Sequence, residues 1–504
     1  MRGFDVVIIG SGCGASPAAE NLSNAGFRVC VLERGTWWGD LHGHASFPEN
    51  GLQFLAASRG LGLSLPFLKK YIRLNLKRGL LEYHLFGRYL NIAACGVGGG
   101  SLLIGGFMDR PPADHWEHYP EEVNGEVMEQ HYANIDAIVE PANRPKPTPY
   151  EDQVTRACEG IEGVRSAKQR LSIWFGDGPD TDQERINGYG IRQRNHDYRC
   201  GDFAGTNRGY KNSMDATCLQ TVLKNGGEIR SLCEAVGIRK NSRGYVVDYL
   251  DIAGNTRRSV AAARVMVAAG AVNTTKLLFA SKRNTTDGLP LLSDQLGNRF
   301  GFNGDRVGFG WAPHANIDHR YGSSLFSYQE IASPEYEYDF HMFATRSAVL
   351  PWLVPIRAIH KRLMIFLALT REEPVGTIRP DGEVMRVHYP SQESHRRAAR
   401  LQRRITMEFD ALFKPLSEQE RRRKVAAIEQ RNPGRGWASV HQCGGAAMAP
   451  DASHGVVDHK GEVFHYPGLY VSDASIYPAA PCCGPHYTIL AQSDRISRQI
   501  IADA

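Results

Sequence analysis

The sequence predicts an α/β fold: a Rossmann-like domain on a parallel sheet, joined to a second domain of antiparallel sheet and helices (α+β). Three observations carry this. The chain opens Phe4-Asp5-Val6-Val7-Ile8-Ile9-Gly10-Ser11-Gly12-Cys13-Gly14-Ala15, an apolar run of strand length entering a glycine turn and then a helical stretch. A second glycine run follows at Cys95-Gly96-Val97-Gly98-Gly99-Gly100-Ser101. From about Val307 to Pro433 the pattern changes to alternating apolar stretches and a long polar helix.

The first unit continues as a helix from Pro17 to Ala25, ended by Gly26, and a second strand Phe27–Leu32 closed by Glu33. Gly10 allows the tight turn, and Gly12 lets backbone approach a pyrophosphate. Ala15 permits close helix–strand packing, and the helix N-terminus attracts phosphate. Gly14 lies in the same turn. Glu33 falls where a carboxylate can bind both ribose hydroxyls. In the second run, Gly96, Gly98, Gly99, Gly100 and Ser101 leave backbone N–H groups open to a flat, anionic ligand. Val97, Leu102, Leu103 and Ile104 argue for ordered packing there rather than a linker.

Residues 50–90 have two readings. Leu61, Leu63, Leu65, Phe67 and Leu68, followed by Lys69, Lys70, Arg73, Lys77 and Arg78, suit a basic amphipathic lid touching membranes or greasy substrates. The favoured reading is a helix packing its apolar side on the body, so membrane contact through 61–78 is the lesser one. Further on, a helix is expected from Tyr210 to about Asn225. A strand Glu228–Leu232 precedes runs at Ala235–Arg239, Tyr245–Asp251 and Arg257–Ala262. A separate buried strand, Arg264 to Ala271, turns at Gly270 into a helix and brings Ala269 and Gly270 toward the adenosine end of a nucleotide. Leu296-Gly297-Asn298 and Asn303-Gly304-Asp305 are turn chemistry. Strands at Met364–Thr370 and Val384–Tyr389 and a helix from Ser391 to Phe413 follow. The arginine clusters around 396–404 and 421–424 read as solvated helices. Near the C-terminus, Asp473 ends a strand and Thr488 starts a helix whose N-terminus suits negative charge. The chain divides as follows: 1–135 and 196–306 form two parts of the nucleotide-binding domain, the first with the lid at 50–90. Residues 136–195 are a substrate-domain or connecting segment, 307–433 form the substrate domain, and 434–504 return to the first domain with an active-site loop.

At 504 residues and 42% hydrophobic content the chain is long enough for two full cores. A net charge of +5 gives no reason to invoke nucleic acid. Ten cysteines without metal-ligand spacing point to no metal and to reduced, cytoplasmic thiols. No segment reaches the roughly twenty apolar residues needed to span a bilayer.

With these landmarks in order, the chain resembles the glucose–methanol–choline (GMC) oxidoreductase family, in particular its bacterial cholesterol-oxidase-like branch. The likeness rests on the Gly10 motif with Glu33, the Gly96–Ser101 run, Lys211-Asn212-Ser213, Ala268-Ala269-Gly270, Asn303-Gly304-Asp305, His441 with Gly444-Gly445, and Asp473 with Pro485, Thr488 and Ile489. The resemblance implies FAD as cofactor, with the glycine run along the flavin ring. It also implies that Asp473, Ala474, Pro485, His486 and Tyr487 close over the ring from the C-terminal loop and helix. It implies oxidation of a small hydrophobic alcohol, or a related C–H substrate: His441 removes the hydroxyl proton while hydride passes to flavin N5, and O2 or a redox partner takes the electrons. Nicotinamide is the alternative cofactor, and it suits the second glycine run less well.

Three departures stand out. Gly484 occupies the place where the branch carries an asparagine beside the histidine, and His486 either replaces it or is a packing histidine. Ile104 replaces a polar residue after the flavin-loop serine. No glutamate lies between His341 and Leu369, where the sterol oxidases carry their isomerising base. These departures motivate a second reading, a flavoenzyme of this fold diverged to lyase, C–C or C=C chemistry. Cys482-Cys483 reads either as a redox pair or, more readily, as small loop filler.

Overall fold

Val6 to Ile9 and Val29 to Leu32 are buried along their whole length, which a strand achieves only when helices or sheet cover both faces. They lie at the centre of a seven-stranded sheet. The strand Phe4–Ile9 pairs in parallel with Val29–Leu32 on one side and with the end of Thr256–Val267 on the other. Glu228–Arg230 extends the parallel region outward, and Leu469–Val471 joins beside Val265–Val267. The structure, a computed structural model, describes residues 3–39, 46–48, 62–73, 79–87, 89–103, 106–168, 170–198, 205–284, 287–317, 329–333, 338–343, 359, 361–390, 394–430 and 438–504.

The helix Ser16–Asn24 follows the first turn directly, and Gly26 leaves it at φ +85°. The runs at Arg257–Ala262 and Arg264–Ala271, expected as separate strands, form one strand, Thr256–Val267. No glycine or proline interrupts Ala261-Ala262-Ala263. The first half pairs antiparallel with Gly244–Asp251, and the second half runs parallel to Phe4–Ile9. A helix, Ala271–Arg283, then starts on Gly270.

A five-stranded antiparallel sheet lies to one side: Arg306–Trp311, Leu363–Ala368, Tyr338–Phe343, Gln329–Ser333 and Arg165–Lys168. The helix Pro149–Glu159 packs here, its start fixed by a reciprocal cap between Thr148 and Glu151. The helix Ser394–Ala411 packs here too. Its arginines led to the expectation of a solvated helix, but Ala398, Leu401, Ile405 and Phe409 are buried against Met364 and Phe366. The helix Glu418–Gln430 does bury nothing.

The helix expected around 61–78 is also corrected. Gly62–Leu65 and Lys70–Arg73 form an antiparallel hairpin in a sheet with Leu81–Phe86, Tyr89–Ala94 and Ala438–Ser439. Phe67 and Leu68 are exposed on the turn between the two strands. Within the proposed lid, residues 50–61, 74–78 and 88 lie outside the described residues, as does Ile104. No described helix is long and apolar enough to cross a membrane.

Candidate functional site

Two glycine turns meet at the C-terminal ends of the parallel strands, the position where open α/β sheets bind ligands. Gly10, at φ +100°, turns so tightly under the sheet that a Cβ there would lie 2.2 Å from the Ala268 carbonyl oxygen. Gly99, at φ +55°, brings the second run against the first: its Cβ would sit 2.6 Å from the Gly12 Cα. Gly14 abuts Ser472, whereas a Cβ at Gly12 would meet only ordinary contacts, the nearest at 3.6 Å. Ala15 is fully buried beneath the turn.

Ser11, which the sequence did not single out, ties these parts together. Its hydroxyl donates to Glu33 Oε2 at 2.6 Å and accepts from the Gly98 N–H at 3.1 Å. Glu33 also accepts from the Gly35 N–H at 2.7 Å, and burial pushes its carboxyl above the usual range. Each carboxylate oxygen accepts two hydrogen bonds, so Glu33 keeps acceptor capacity for a ribose hydroxyl. Gly96 packs against Trp38 and Gly100 faces open space. Ser101 donates to the Gly98 carbonyl at 2.7 Å and accepts from the Met214 N–H at 3.0 Å, welding the run to Lys211-Asn212-Ser213.

Asp473 joins the second strand-to-helix turn to the C-terminal segment. It accepts from the Gly270 N–H at 2.9 Å, from Thr274 Oγ1 at 2.5 Å and from the Ser475 N–H at 2.8 Å. Ala269, beside Gly270, donates its N–H to Thr274 Oγ1 at 3.0 Å. Burial raises the Asp473 carboxyl, and its hydrogen bonds oppose this. Ala474 accepts from the Gly444 N–H at 2.9 Å, so this segment lies next to the loop carrying His441.

His441 Nδ1 lies 2.9 Å from Asp305 Oδ1. Asp305 is fully buried, and its Oδ2 accepts from Ser439 Oγ and the Val440 N–H, both at 2.9 Å. An acceptor on Nδ1 places the proton there in the neutral ring and leaves the Nε2 lone pair for another proton. Asp305 was legible as turn chemistry and as part of a resembling motif, but not as a partner of His441. Its role becomes visible when the fold brings it to the histidine loop.

The C-terminal helix starts at His486 on Pro485, two residues earlier than expected. His486 is buried with Nε2 unpartnered, and burial, reinforced by His441, pushes its pKa down to about 3. Its ring lines a cavity with Cys13, Ser101, Gly106, Ser172 and Lys211. Tyr487 turns away: its hydroxyl donates to Asp136 at 2.6 Å, and its ring packs on Tyr132. At Gly484 a Cβ would come 3.2 Å from Asp109 Oδ2, so a carboxylate backs the place of the family asparagine. Cys482 and Cys483 are not bonded to each other. Their thiols donate to the Ala480 and Asp109 carbonyls, while Asn303 clamps their backbone at 2.7 and 3.0 Å. No metal-holding cluster occurs among the described residues.

The glycine cradle, the spare acceptor capacity of Glu33 and the unpartnered His486 suit a dinucleotide with a flat ring system. Comparisons with known proteins agree. Family models described as GMC oxidoreductase match residues 78–287 and 370–493. A cholesterol oxidase of Mycobacterium tuberculosis is 26% identical over 98% of this chain and 90% of its own length. A long-chain-alcohol oxidase of Arabidopsis thaliana is 23% identical over 99% of this chain and 67% of its own length. Among solved structures, an FAD-dependent oxidoreductase from Chaetomium thermophilum superposes with a TM-score of 0.60 at 14% identity, covering 99% of both chains. Pyridoxine 4-oxidase from Mesorbium loti gives 0.59 at 16% identity, covering 98% of both. The chain belongs to the GMC oxidoreductase family.

Proposed function

We propose that this oxidoreductase holds FAD and oxidises a small hydrophobic alcohol, with His441 as the proton acceptor. FAD, when bound, supplies the hydride acceptor at flavin N5. The observation that carries the reading is the 2.9 Å contact between His441 Nδ1 and buried Asp305. It fixes the tautomer and the ring orientation, so Nε2 can take a hydroxyl proton as the C–H bond breaks. His486, with its pKa down at about 3, stays neutral and serves as an orienting hydrogen-bond partner for the substrate oxygen. Gly10, Gly12, Gly14 and Ala15 would hold the pyrophosphate, Glu33 the ribose, and Gly96, Gly98, Gly99, Gly100 and Ser101 the ring. Ala269, Gly270, Asp473 and Ala474 would close the nucleotide between the two strand ends. Pro485 and His486 would begin the helix that faces the ring, while Tyr487, expected there, points to Asp136 instead.

The cholesterol oxidase and the long-chain-alcohol oxidase among the relatives support a greasy alcohol and O2 as acceptor. Anaerobic incubation with primary and secondary alcohols of increasing chain length tests the reading. Bleaching of the flavin band by one of them is the expected result. A yellow protein that no alcohol bleaches would favour the second reading, a flavoenzyme diverged from alcohol oxidation.

A further inference from the structure

Among the residues lining the cavity, Lys211 carries the full charge. It is 4% exposed, and its ammonium donates to the Leu102 carbonyl at 3.2 Å. Its backbone bridges Ile173, and the next residue donates its N–H to the Ser172 carbonyl at 3.0 Å. Asn212 is pinned in turn, donating to the Val139 carbonyl at 2.8 Å and accepting from Gln193 at 2.9 Å. The ammonium is therefore held in place beside the second glycine run.

One further feature of the cavity has the same sign, and another is a neutral polar group. His486 and Leu490, from the first turns of the 17-residue helix His486–Ala502, bring its positive N-terminal end to the cavity. The His486 ring adds a buried Nε2 without a partner, at 7% exposure. A buried carboxylate, Asp215, feels Lys211. Lys211 draws its pKa down, yet burial is the larger effect and leaves it at about 6. Asp215 Oδ1 accepts from Ser213 Oγ at 2.5 Å and lies beside Gly98, so it opposes part of the Lys211 charge at the same glycine run. A positive charge fixed beside the ring favours negative charge that the ring gains, over and above the interactions the ammonium already makes. The pyrophosphate already has the first turn and the helix Ser16–Asn24. Ser101, Gly106 and His486 mark this cavity as the ring side.

We infer that Lys211, with the N-terminus of helix His486–Ala502, is the fixed positive charge that holds the negative charge a flavin ring gains on reduction. The inference rests on the FAD reading above. It makes Lys211 a residue that sets the cofactor's potential, separate from proton transfer at His441.

Sulfite is the probe. It adds through sulfur to N5 of an oxidised flavin, leaves the electron pair as negative charge on the ring and bleaches the visible band. The wild-type holoenzyme should bind sulfite. Lys211→Met should weaken that binding about 10- to 100-fold, matched by a fall in the two-electron midpoint potential of about 30–60 mV, at 29.6 mV per tenfold. Lys211→Arg keeps the charge and should stay within about threefold of wild type. A Lys211→Met protein with wild-type sulfite affinity and potential would overturn the inference. So would loss of FAD in Lys211→Met with retention in Lys211→Arg, which would put the ammonium on the pyrophosphate. A yellow wild type that binds no sulfite overturns it whatever the variants do. A colourless wild type that works with nicotinamide defeats the FAD reading itself, a different and recognisable failure.

Discussion

Replacing Asp305 by asparagine changes one heavy atom and tests the orientation of His441. The carboxylate accepts on both sides: Nδ1–H of His441 on Oδ1, and Ser439 Oγ with the Val440 N–H on Oδ2. An amide has one acceptor end. The Val440 N–H is a fixed donor and claims it, so the amide NH2 must face His441 Nδ1. The ring then accepts at Nδ1 and carries its proton on Nε2, the nitrogen that should receive the substrate's proton. Positioned general-base catalysis contributes about 10²–10⁴-fold, and a wrong tautomer forfeits most of it. Asp305→Asn should therefore slow anaerobic flavin reduction by about 10²–10⁴-fold with FAD content unchanged. Alanine is the poorer test, because it strands buried donors at about 1–3 kcal/mol each. Stopped-flow bleaching with a turned-over alcohol gives the rate, and the visible spectrum gives the flavin content. A fully flavinylated Asp305→Asn enzyme reducing within about threefold of wild type would refute the tautomer argument.

Glu33→Ala should weaken FAD retention about 10- to 100-fold without altering the chemistry, since a charge-assisted hydrogen bond is worth about 1.5–3 kcal/mol. Flavin content after extensive dialysis measures it. Gly14→Ala would force a Cβ to within 1.7 Å of the Ser472 carbonyl and should yield no folded yellow protein. Gly12→Ala, with 3.6 Å of clearance, should fold and lose only FAD affinity. Expression and flavin absorbance of the pair separate these outcomes. Burial raises Asp215 to about 6 in the folded chain. A raised folded-state pKa means its favourable contribution is complete below the unfolded value and is lost as pH rises through about 6. Asp215→Asn should therefore raise Tm more at pH 8 than at pH 5, and an equal gain at both would contradict it.

The N-terminal unit was legible because each of its signals has a local cause. A strand buried on both faces needs a continuous apolar run, and Gly10 needs its positive φ whatever the rest of the chain does. Strand partnership is not local. Thr256–Val267 looked like two strands because it serves antiparallel and parallel neighbours in turn. The segment from Gly62 to Arg73 looked like an amphipathic helix because short apolar runs beside lysines fit either period. Its pairing with Leu81–Phe86 decides the matter. At the site, His441 stood out by its position before Gly444-Gly445. Asp305 did not stand out as its partner, since Asn303-Gly304-Asp305 reads as turn chemistry and the two lie 136 residues apart. Ser11 was hidden as the variable residue of a glycine motif. Lys211 was visible as part of a motif, but its burial in the cavity wall comes only from packing.

The most direct test of the account compares His441→Ala with His486→Ala in anaerobic stopped-flow reduction by a turned-over alcohol. His441→Ala should keep its FAD and lose about 10²–10⁴-fold in the rate of flavin reduction. His486→Ala should retain most of the rate and show its loss mainly in substrate affinity, because a ring held neutral by burial orients the substrate oxygen rather than taking the proton. The reverse result, with collapse of the reduction rate in His486→Ala and near-normal reduction in His441→Ala, would contradict the assignment and move proton transfer to the first turn of the C-terminal helix.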